Sequence, residues 1–401
     1  MKILQLCIKV PYPPYDGGAI AMLNMARSFV KNGHKVIVLA MKTPKHRKSA
    51  TEIPAELSKI IRFIFIDTNT RIRLVQLIIN LAFSNQPYNA IRFISKKFTT
   101  ALTDLLQQET FDIIQLEGLY LKSYIPVIRK NHSGLLAYRA HNIESEIWHR
   151  MARTTQNIVK KRYLKILAGR LAFYENDMIN RYDLLVPISA NDLSWFQVRG
   201  NSKPVHLAHT GITEKNFRSP SGFSNAVDLF HIGALDWLPN QEALIWFLDN
   251  VWTTIKKNRP GLRFHVAGRN GPEWLARKCK YYAVDFHGEI ENAQEFIDNH
   301  SLMVVPLFAG SGLRIKIIEG MARSKPVITT SIGAQGLNVT PGKELIIADT
   351  AVDFILAIDR LLDNPKYLDA LQKNAYAFTR KHFNDEQIVK NLLYFYRQHL
   401  A

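Results

Sequence analysis

The chain alternates short, nearly unbroken apolar runs with longer stretches whose apolar positions recur at helical spacing. Ile3–Val10 reads as a strand, a Pro/Gly-rich loop follows, and Ala19–Lys31 carries the helical period. Asn32-Gly33-His34 stops that helix before a second strand at Val36–Ala40. Strand, helix and strand with short connections form a βαβ unit, which requires a parallel sheet. Further runs at Ile60–Ile66, Asp112–Leu116, Leu135–Ala140 and Leu184–Ile188 extend it, with helical segments at Thr99–Glu109 and along Glu144–Arg181.

The alternation restarts near residue 227. Val227–Ile232 and Leu262–Ala267 read as strands around a helix at Asn240–Ile255. Phe286, Met303–Pro306 and Val327–Thr329 lie in further strands, with helices at Leu313–Ala322 and Val352–Leu362. The pattern is therefore that of an α/β protein with two Rossmann-like, doubly wound domains joined near residues 205–220. In such sheets ligands sit outside the carboxyl ends of the strands, and a central crevice faced by two domains is a common binding arrangement.

Composition narrows the class. The 401 residues are 47% hydrophobic, enough for a full core in each domain, which excludes disordered, collagen-like and coiled-coil readings. Cys7 and Cys279 stand alone, so neither a disulfide scaffold nor a cysteine metal site is expected. The apolar start is broken by Gln5, followed by Lys9, and lacks a small-residue cleavage signal, so it is read as the first strand of a cytoplasmic protein. Leu77–Phe83 falls far short of the ~20 residues of a spanning helix. Charge separates the halves: residues 1–215 hold 31 Lys and Arg against 15 Asp and Glu, and residues 216–401 hold 21 against 19. The net charge of +18 thus sits almost wholly in the first half, and predicts an anionic partner there, nucleic acid, an anionic membrane surface or an acidic substrate, the alternative being a solvated basic face with no partner.

Two loops carry candidate chemistry. In Pro11-Tyr-Pro-Pro-Tyr-Asp-Gly-Gly18, Gly17 and Gly18 open a helix and let backbone N–H groups approach an anion. In Val305-Pro-Leu-Phe-Ala-Gly-Ser-Gly-Leu-Arg-Ile-Lys-Ile-Ile-Glu-Gly320, a strand ends at Pro306, Gly310-Ser311-Gly312 turns, and a helix begins near Leu313. Free N–H groups and the positive end of that helix then lie at the carboxyl edge of a sheet. Arg314 and Lys316 can neutralise a diphosphate but, two positions apart, do not share a face. Glu319 suits a ribose diol; the alternative is a Lys316–Glu319 surface pair worth only ~0.3–0.5 kcal/mol.

Arg139-Ala-His141-Asn142 follows the strand Leu135–Tyr138. There His141 can hydrogen-bond a substrate hydroxyl or stabilise developing charge, or else cap the helix that starts at Ile143. Glu117, after another strand, is a possible site acid without an identified partner. Ser189-Ala-Asn-Asp192 has capping-box spacing, and Asn240 reads as an N-cap. The chain has no Asp-x-Asp pair, which disfavours a metal-clamped diphosphate, and no GxxxxGK[ST] loop, which removes P-loop enzymes.

Together these residues resemble the GT4 family of glycosyltransferases, which have the GT-B fold. The resemblance runs from Pro14-Tyr-Asp-Gly-Gly18 to the segment His382–Leu400. It rests on Arg139-Ala-His-Asn142, Phe230-His-Ile-Gly-Ala-Leu-Asp-Trp-Leu-Pro-Asn240 and Gly310-Ser-Gly-Leu-Arg-Ile-Lys-Ile-Ile-Glu319. It implies a retaining, metal-independent enzyme without a cofactor, whose co-substrate is a nucleotide-diphosphate sugar of UDP or GDP type. It also implies an acceptor domain at 1–207, a donor domain at 208–384, and a last helix within 385–401 packing back on the first. By resemblance, Gly17 and Gly18 approach the donor phosphates, His141 lies beside the transferred sugar, Gly312 and Leu313 offer backbone N–H groups, and Glu319 holds the ribose. Gly233, Arg314 and Lys316 complete the donor-side set, and Glu117 and Asn142 fall on the acceptor side.

The sequence departs from the commonest family pattern twice. Ser311 replaces the first acid of a Glu-x7-Glu pair, and Gly233-Ala-Leu-Asp-Trp237 lacks the usual Arg and Lys, so Arg314 and Lys316 are expected to supply phosphate charge instead. The acceptor is expected to be a saccharide or lipid-linked saccharide in bacterial cell-surface polysaccharide synthesis. Arg71–Phe83, with Arg92, Lys96 and Lys97, mixes apolar and basic residues; it is expected to dock peripherally on an anionic inner leaflet, the alternative being a core helix with a solvated face. A GT-B epimerase or phosphorylase is a competing class. A nucleic-acid-binding protein is another, but it leaves Gly310–Glu319 without a purpose, so no nucleic acid partner is expected.

Overall fold

The computed structural model describes residues 1–14, 16–44, 52–155, 157–221, 227–309 and 312–400. Its contacts divide it into two compact units, Met1–Gly211 with Asp385–Ala401, and Ile212–Asn384. The first unit holds 32 Lys and Arg against 16 Asp and Glu and the second 20 against 18, so the charge asymmetry follows the structural division.

The first unit is built on six parallel strands: β1 (Lys2–Cys7), β2 (Lys35–Lys42), β3 (Arg62–Asp67), β4 (Ile113–Glu117), β5 (Leu135–Ala140) and β6 (Leu184–Pro187). Their order is β3-β2-β1-β4-β5-β6. Helices cover both faces, which is why the central strands are apolar on both sides. One core layer packs Leu4, Leu6, Leu116 and Tyr138 with helix Lys96–Gln108. The other packs Ile3, Met22 and Phe29 against Leu392 and Tyr396 of the final helix, Asp385–His399.

The second unit repeats the plan with β7 (Leu229–Ile232), β8 (Phe264–Ala267), β9 (Asp285–Gly288), β10 (Leu302–Val305), β11 (Val327–Thr329) and β12 (Ile346–Ile347), ordered β12-β11-β10-β7-β8-β9. Both sheets are parallel throughout, as the alternating pattern required.

The structure revises several boundaries. Ile60 ends a short helix, Ala55–Ile60, instead of opening β3. The stretch Glu144–Arg181 is two helices, Glu144–Thr154 and Ile158–Asn176. The helix placed at Asn240 starts at Leu238, so Asn240 lies inside its first turn and is not its cap. The helix expected near Leu313 starts at Ile315. Ser189 does cap its helix, accepting from the Asp192 N–H. Among the described residues no helix is long and apolar enough to cross a membrane.

Candidate functional site

In the first unit a line of polar side chains crosses the sheet just below the carboxyl ends of its central strands. Gln5 pairs with Gln115, and Glu117 with Arg139, across β1, β4 and β5. All four residues are buried. Glu117 Oε1 accepts from Gln5 Nε2 at 2.7 Å and from Gln115 Nε2 at 2.5 Å. Its Oε2 meets Arg139 Nη1 at 3.3 Å and His141 Nε2 at 2.5 Å. The four acceptor positions of the carboxylate are thus filled, which is what a charge in this setting needs. Arg139 also donates to Ala21 O at 3.1 Å, and Tyr396 Oη to Gln115 Oε1 at 2.7 Å.

Burial alone would raise the Glu117 carboxyl, but the Arg139 charge and the His141 hydrogen bond outweigh it and hold the pKa at about 2. Burial lowers the pKa of His141, against the pull of Glu117, so the ring is neutral at pH 7. An ionised carboxylate cannot donate, so the proton of the His141–Glu117 bond sits on Nε2. Nδ1 is then a lone pair and a hydrogen-bond acceptor. His141 does not cap the following helix; Ile143 occupies that position, and Glu175 supplies the capping oxygens, accepting from Glu144 N at 2.6 Å and Ser145 N at 3.0 Å. Asn142, half-buried, lies between His141 and this helix start.

Gly17 and Gly18 form the first turn of helix Gly17–Lys31, capped by Asp16. Lys9 pairs with Asp16, Nζ to Oδ1 at 2.5 Å, and a Cβ at Gly18 would lie 3.0 Å from Lys9 Nζ. A cation therefore stands beside the glycine turn. A hollow lined by Lys42, Thr43, Arg71, Lys96 and Lys97 adjoins the carboxyl ends of β2 and β3.

In the second unit, Lys316 lies in the first turn of helix Ile315–Ala322 and reaches the carboxyl end of β7. Its Nζ donates to Asn240 Oδ1 at 2.8 Å and lies 3.4 Å from His231 Nε2. His231 Nδ1 faces Val304 O at 2.8 Å, so its proton is on Nδ1 and Nε2 is free to accept from Lys316. Two of the three ammonium protons are thereby committed. A Cβ at Gly233 would lie 3.1 Å from Lys316 Nζ and 2.9 Å from Asn240 Nδ2, so a side chain there would crowd the ammonium. A Cβ at Gly268 would fall 1.7 Å from Gly233 O, which locks the ends of β7 and β8 together.

Burial, and then the Arg314 charge, bring Lys316 down to about 7. Burial lifts the Glu319 carboxyl to about 7, with Arg323 opposing. Lys316 and Glu319 make no ion pair with each other, so the surface-pair alternative is not realised. Arg314 is buried as the residue preceding the helix and donates to Gly312 O at 2.6 Å. Gly312 takes φ of +76°, and Leu313 is half-buried. Gly310 and Ser311, the rest of that turn, lie outside the described residues.

Sequence reasoning left Lys9, Gln5, Gln115, His231 and Tyr396 without a role. The signal for the two glutamines was present, since each is a polar position inside a strand that otherwise reads as fully buried. A His-x-x-His spacing, taken from the sequence to be absent, is present as His206-Leu-Ala-His209; His206 stacks on Phe395 at 5.3 Å and His209 bonds Ile188 O at 2.7 Å.

The segment Arg71–Phe83 is not a core helix. Helix Leu74–Phe83 buries only Asn80, and Leu74, Val75, Ile78 and Phe83 are 73%, 69%, 62% and 86% exposed. Arg170 of helix Ile158–Asn176 holds its end, donating to Asn80 O and Leu81 O.

Residues 226–364 match the family described as "Glycosyl transferases group 1". The chain is 20% identical over 400 residues to the "uncharacterized 44.6 kDa protein in cps region" of Klebsiella pneumoniae, covering 98% of each. It is 27% identical over 231 residues to the lipopolysaccharide core biosynthesis mannosyltransferase LpsB of Rhizobium meliloti, covering 52% of this chain and 64% of LpsB. Among solved structures, Anabaena HepE in complex with UDP aligns with TM-score 0.69 at 16% identity, over 99% of this chain and 100% of that one. Sucrose-phosphate synthase of Thermosynechococcus elongatus aligns with TM-score 0.71 at 16% identity, over 99% of both chains. The second unit thus carries the match to the group 1 (GT4) glycosyltransferases, and the architecture shared along the whole length is the GT-B fold.

Proposed function

We propose that the protein transfers a glycosyl group, with retention, from a nucleoside-diphosphate sugar to a hydroxyl of a saccharide or lipid-linked saccharide during cell-surface polysaccharide synthesis. The observation that carries this reading is the placement of Lys316 Nζ by Asn240 and His231 at the carboxyl end of β7, three residues before Glu319. A fixed ammonium with one uncommitted proton suits a diphosphate oxygen, and Glu319 suits the ribose hydroxyls. Arg314 braces the Gly312 turn, while Lys316 meets the phosphate. This supplies the leaving-group charge from protein groups, and activity is expected to persist in EDTA.

In the reaction the bond from the anomeric carbon to the diphosphate oxygen breaks, and a bond to the acceptor oxygen forms on the same face. The acceptor proton passes to the leaving phosphate. His141 takes a substrate hydroxyl on Nδ1, and Glu117 holds the tautomer this needs. Relatives named for a cps region and for lipopolysaccharide core synthesis support a cell-surface product, and HepE was solved with UDP and with UDP-glucose. Thermal shifts with UDP, GDP, ADP and their sugars test the donor assignment; no shift with any of them rejects it.

A second reading concerns where the acceptor is met. An exposed helix that is almost wholly apolar, preceded by Arg71 and Arg73, suits an anionic bilayer surface. The neighbouring helix adds exposed Ile158 and Val159 beside Lys160, Lys161 and Arg162. The hollow around Lys42, Lys96 and Lys97 suits an acidic group on the acceptor.

A further inference from the structure

Three histidines of the second unit, far apart in sequence, converge away from the Lys316 site. His265 is the second residue of β8, His287 lies in β9, and His300 stands just before β10. One ring nitrogen of each lies within 4.8 Å of those of the other two. The rings line the edge of the core, His300 lying 4.4 Å from Phe296 and His287 5.3 Å from it between ring centroids, and the diphosphate chemistry does not use them.

The hydrogen bonds set the tautomers. His300 Nδ1 lies 2.6 Å from Asp228 Oδ2, and His265 Nε2 lies 3.4 Å from the same oxygen. The carboxylate can only accept, so His300 Nδ1 carries a proton and His300 Nε2 is left as a lone pair. His265 Nδ1 is 3.1 Å from His287 Nε2 and 3.5 Å from Asp285 Oδ2. Carboxylate-held imidazoles with the opposite nitrogen free are the usual supporting arrangement of histidine metal sites. The register between β8 and β9 slips after Val266, leaving His287 as the extra residue of a bulge. A bulge of this kind re-aims a side chain.

We propose that His265, His287 and His300, with one ring nitrogen each as ligand and solvent in the fourth position, bind a divalent transition-metal ion of the zinc class. Imidazole nitrogens suit Zn²⁺, which takes four ligands in tetrahedral geometry. At bond lengths of about 2.0–2.1 Å the ligand atoms sit roughly 3.3 Å apart. The His265–His287 pair already has that spacing. The rings of His265 and His300 stack with centroids 4.2 Å apart. His287 is exposed and Asp285 half-exposed, so the ion enters from solvent. Because Asp228 and His300 flank the amino ends of β7 and β10, the ion would clip β7, β8, β9 and β10 together at the edge opposite Gly233. The role is structural, and it stands or falls separately from the donor reading.

The test uses the full chain with any affinity tag removed. Equilibrium dialysis against Zn²⁺ followed by metal analysis is expected to give one tightly held ion per chain and a raised Tm. Co²⁺ in its place is expected to show the visible bands of tetrahedral N/O coordination. His287→Ala, at an exposed position, should abolish both and leave the metal-free Tm near that of the parent, whereas His149→Ala should change neither. Asp228→Asn should weaken binding by about 10–100-fold. Failure of the parent to retain zinc, or equal retention by His287→Ala, overturns the proposal.

Discussion

His141 Nε2 meets Glu117 Oε2 at 2.5 Å, and this contact decides which nitrogen of the ring keeps a lone pair. Glu117 stays ionised down to about pH 2 because Arg139 and His141 offset the effect of burial. Replacing it by the isosteric amide removes the charge that holds the tautomer. Glu117→Gln is expected to lower kcat by about 10²–10⁴-fold with little change in nucleotide affinity. Steady-state kinetics beside calorimetric nucleotide binding check this; equal losses in both would return Glu117 to a purely architectural role. Glu117→Ala strands Arg139 and is expected to cost about 3–5 kcal/mol of stability, read by denaturant unfolding.

On the proposed reading Lys316 offers a charged contact to a diphosphate, and Gly233–Trp237 holds no Lys or Arg to replace it. Lys316→Met keeps the stem and removes the ammonium. A hydrogen bond to a charged group is worth about 1.5–3 kcal/mol, so nucleotide dissociation constants should rise by roughly 10–100-fold. Isothermal titration with the nucleotide that gives the largest thermal shift measures it.

The pH dependence of donor binding follows from two opposed shifts. Lys316, lowered to about 7, loses its charge as pH rises past neutrality, and Glu319, raised to about 7, loses its charge as pH falls past it. Affinity for a nucleotide sugar, whose diphosphate does not titrate in this range, should therefore peak near pH 7 and fall on both sides. Lys316→Arg keeps its charge and should flatten the alkaline side alone. A titration series from pH 5.5 to 9 resolves the two limbs (about one unit of binding change per decade on each).

The exposed helix Leu74–Phe83 can be altered without touching a core. Ile78→Asp and Phe83→Asp should leave Tm within the small range usual for surface changes, about 0.5 kcal/mol. Both should reduce flotation with vesicles containing anionic lipid at low salt. Unchanged flotation would assign the apolar face to another partner.

Much of the fold was legible because parallel strands covered on both faces announce themselves as apolar runs, and among the described residues eleven of twelve strands fall on such runs or beside them. Boundaries slipped where side-chain chemistry overrode pattern: Asn240 looks like a cap in sequence, yet its amide is committed to Ala234 O and Lys316. Gly17, His141 and Lys316 were readable from position, at the ends of strands or starts of helices. Gln5, Gln115 and Tyr396 were not, because their meaning lies in contacts between residues as much as 281 positions apart. The three clustered histidines show the same limit, for no local spacing joins residues 265, 287 and 300.

The final helix, Asp385–His399, belongs to the first unit although the whole second unit precedes it in the chain. Its Tyr396 hydroxyl is the outermost link of the chain running through Gln115 and Glu117 to His141. During synthesis residues 1–384 therefore leave the ribosome before the histidine can acquire its final surroundings. A chain stopped short of residue 385 would still contain Lys316, Asn240 and His231, yet would lack the last prop beneath His141. On the proposed reading such a product would hold a donor while being poorly equipped to use it, so ligand binding alone is an unsafe measure of whether a shortened protein is competent.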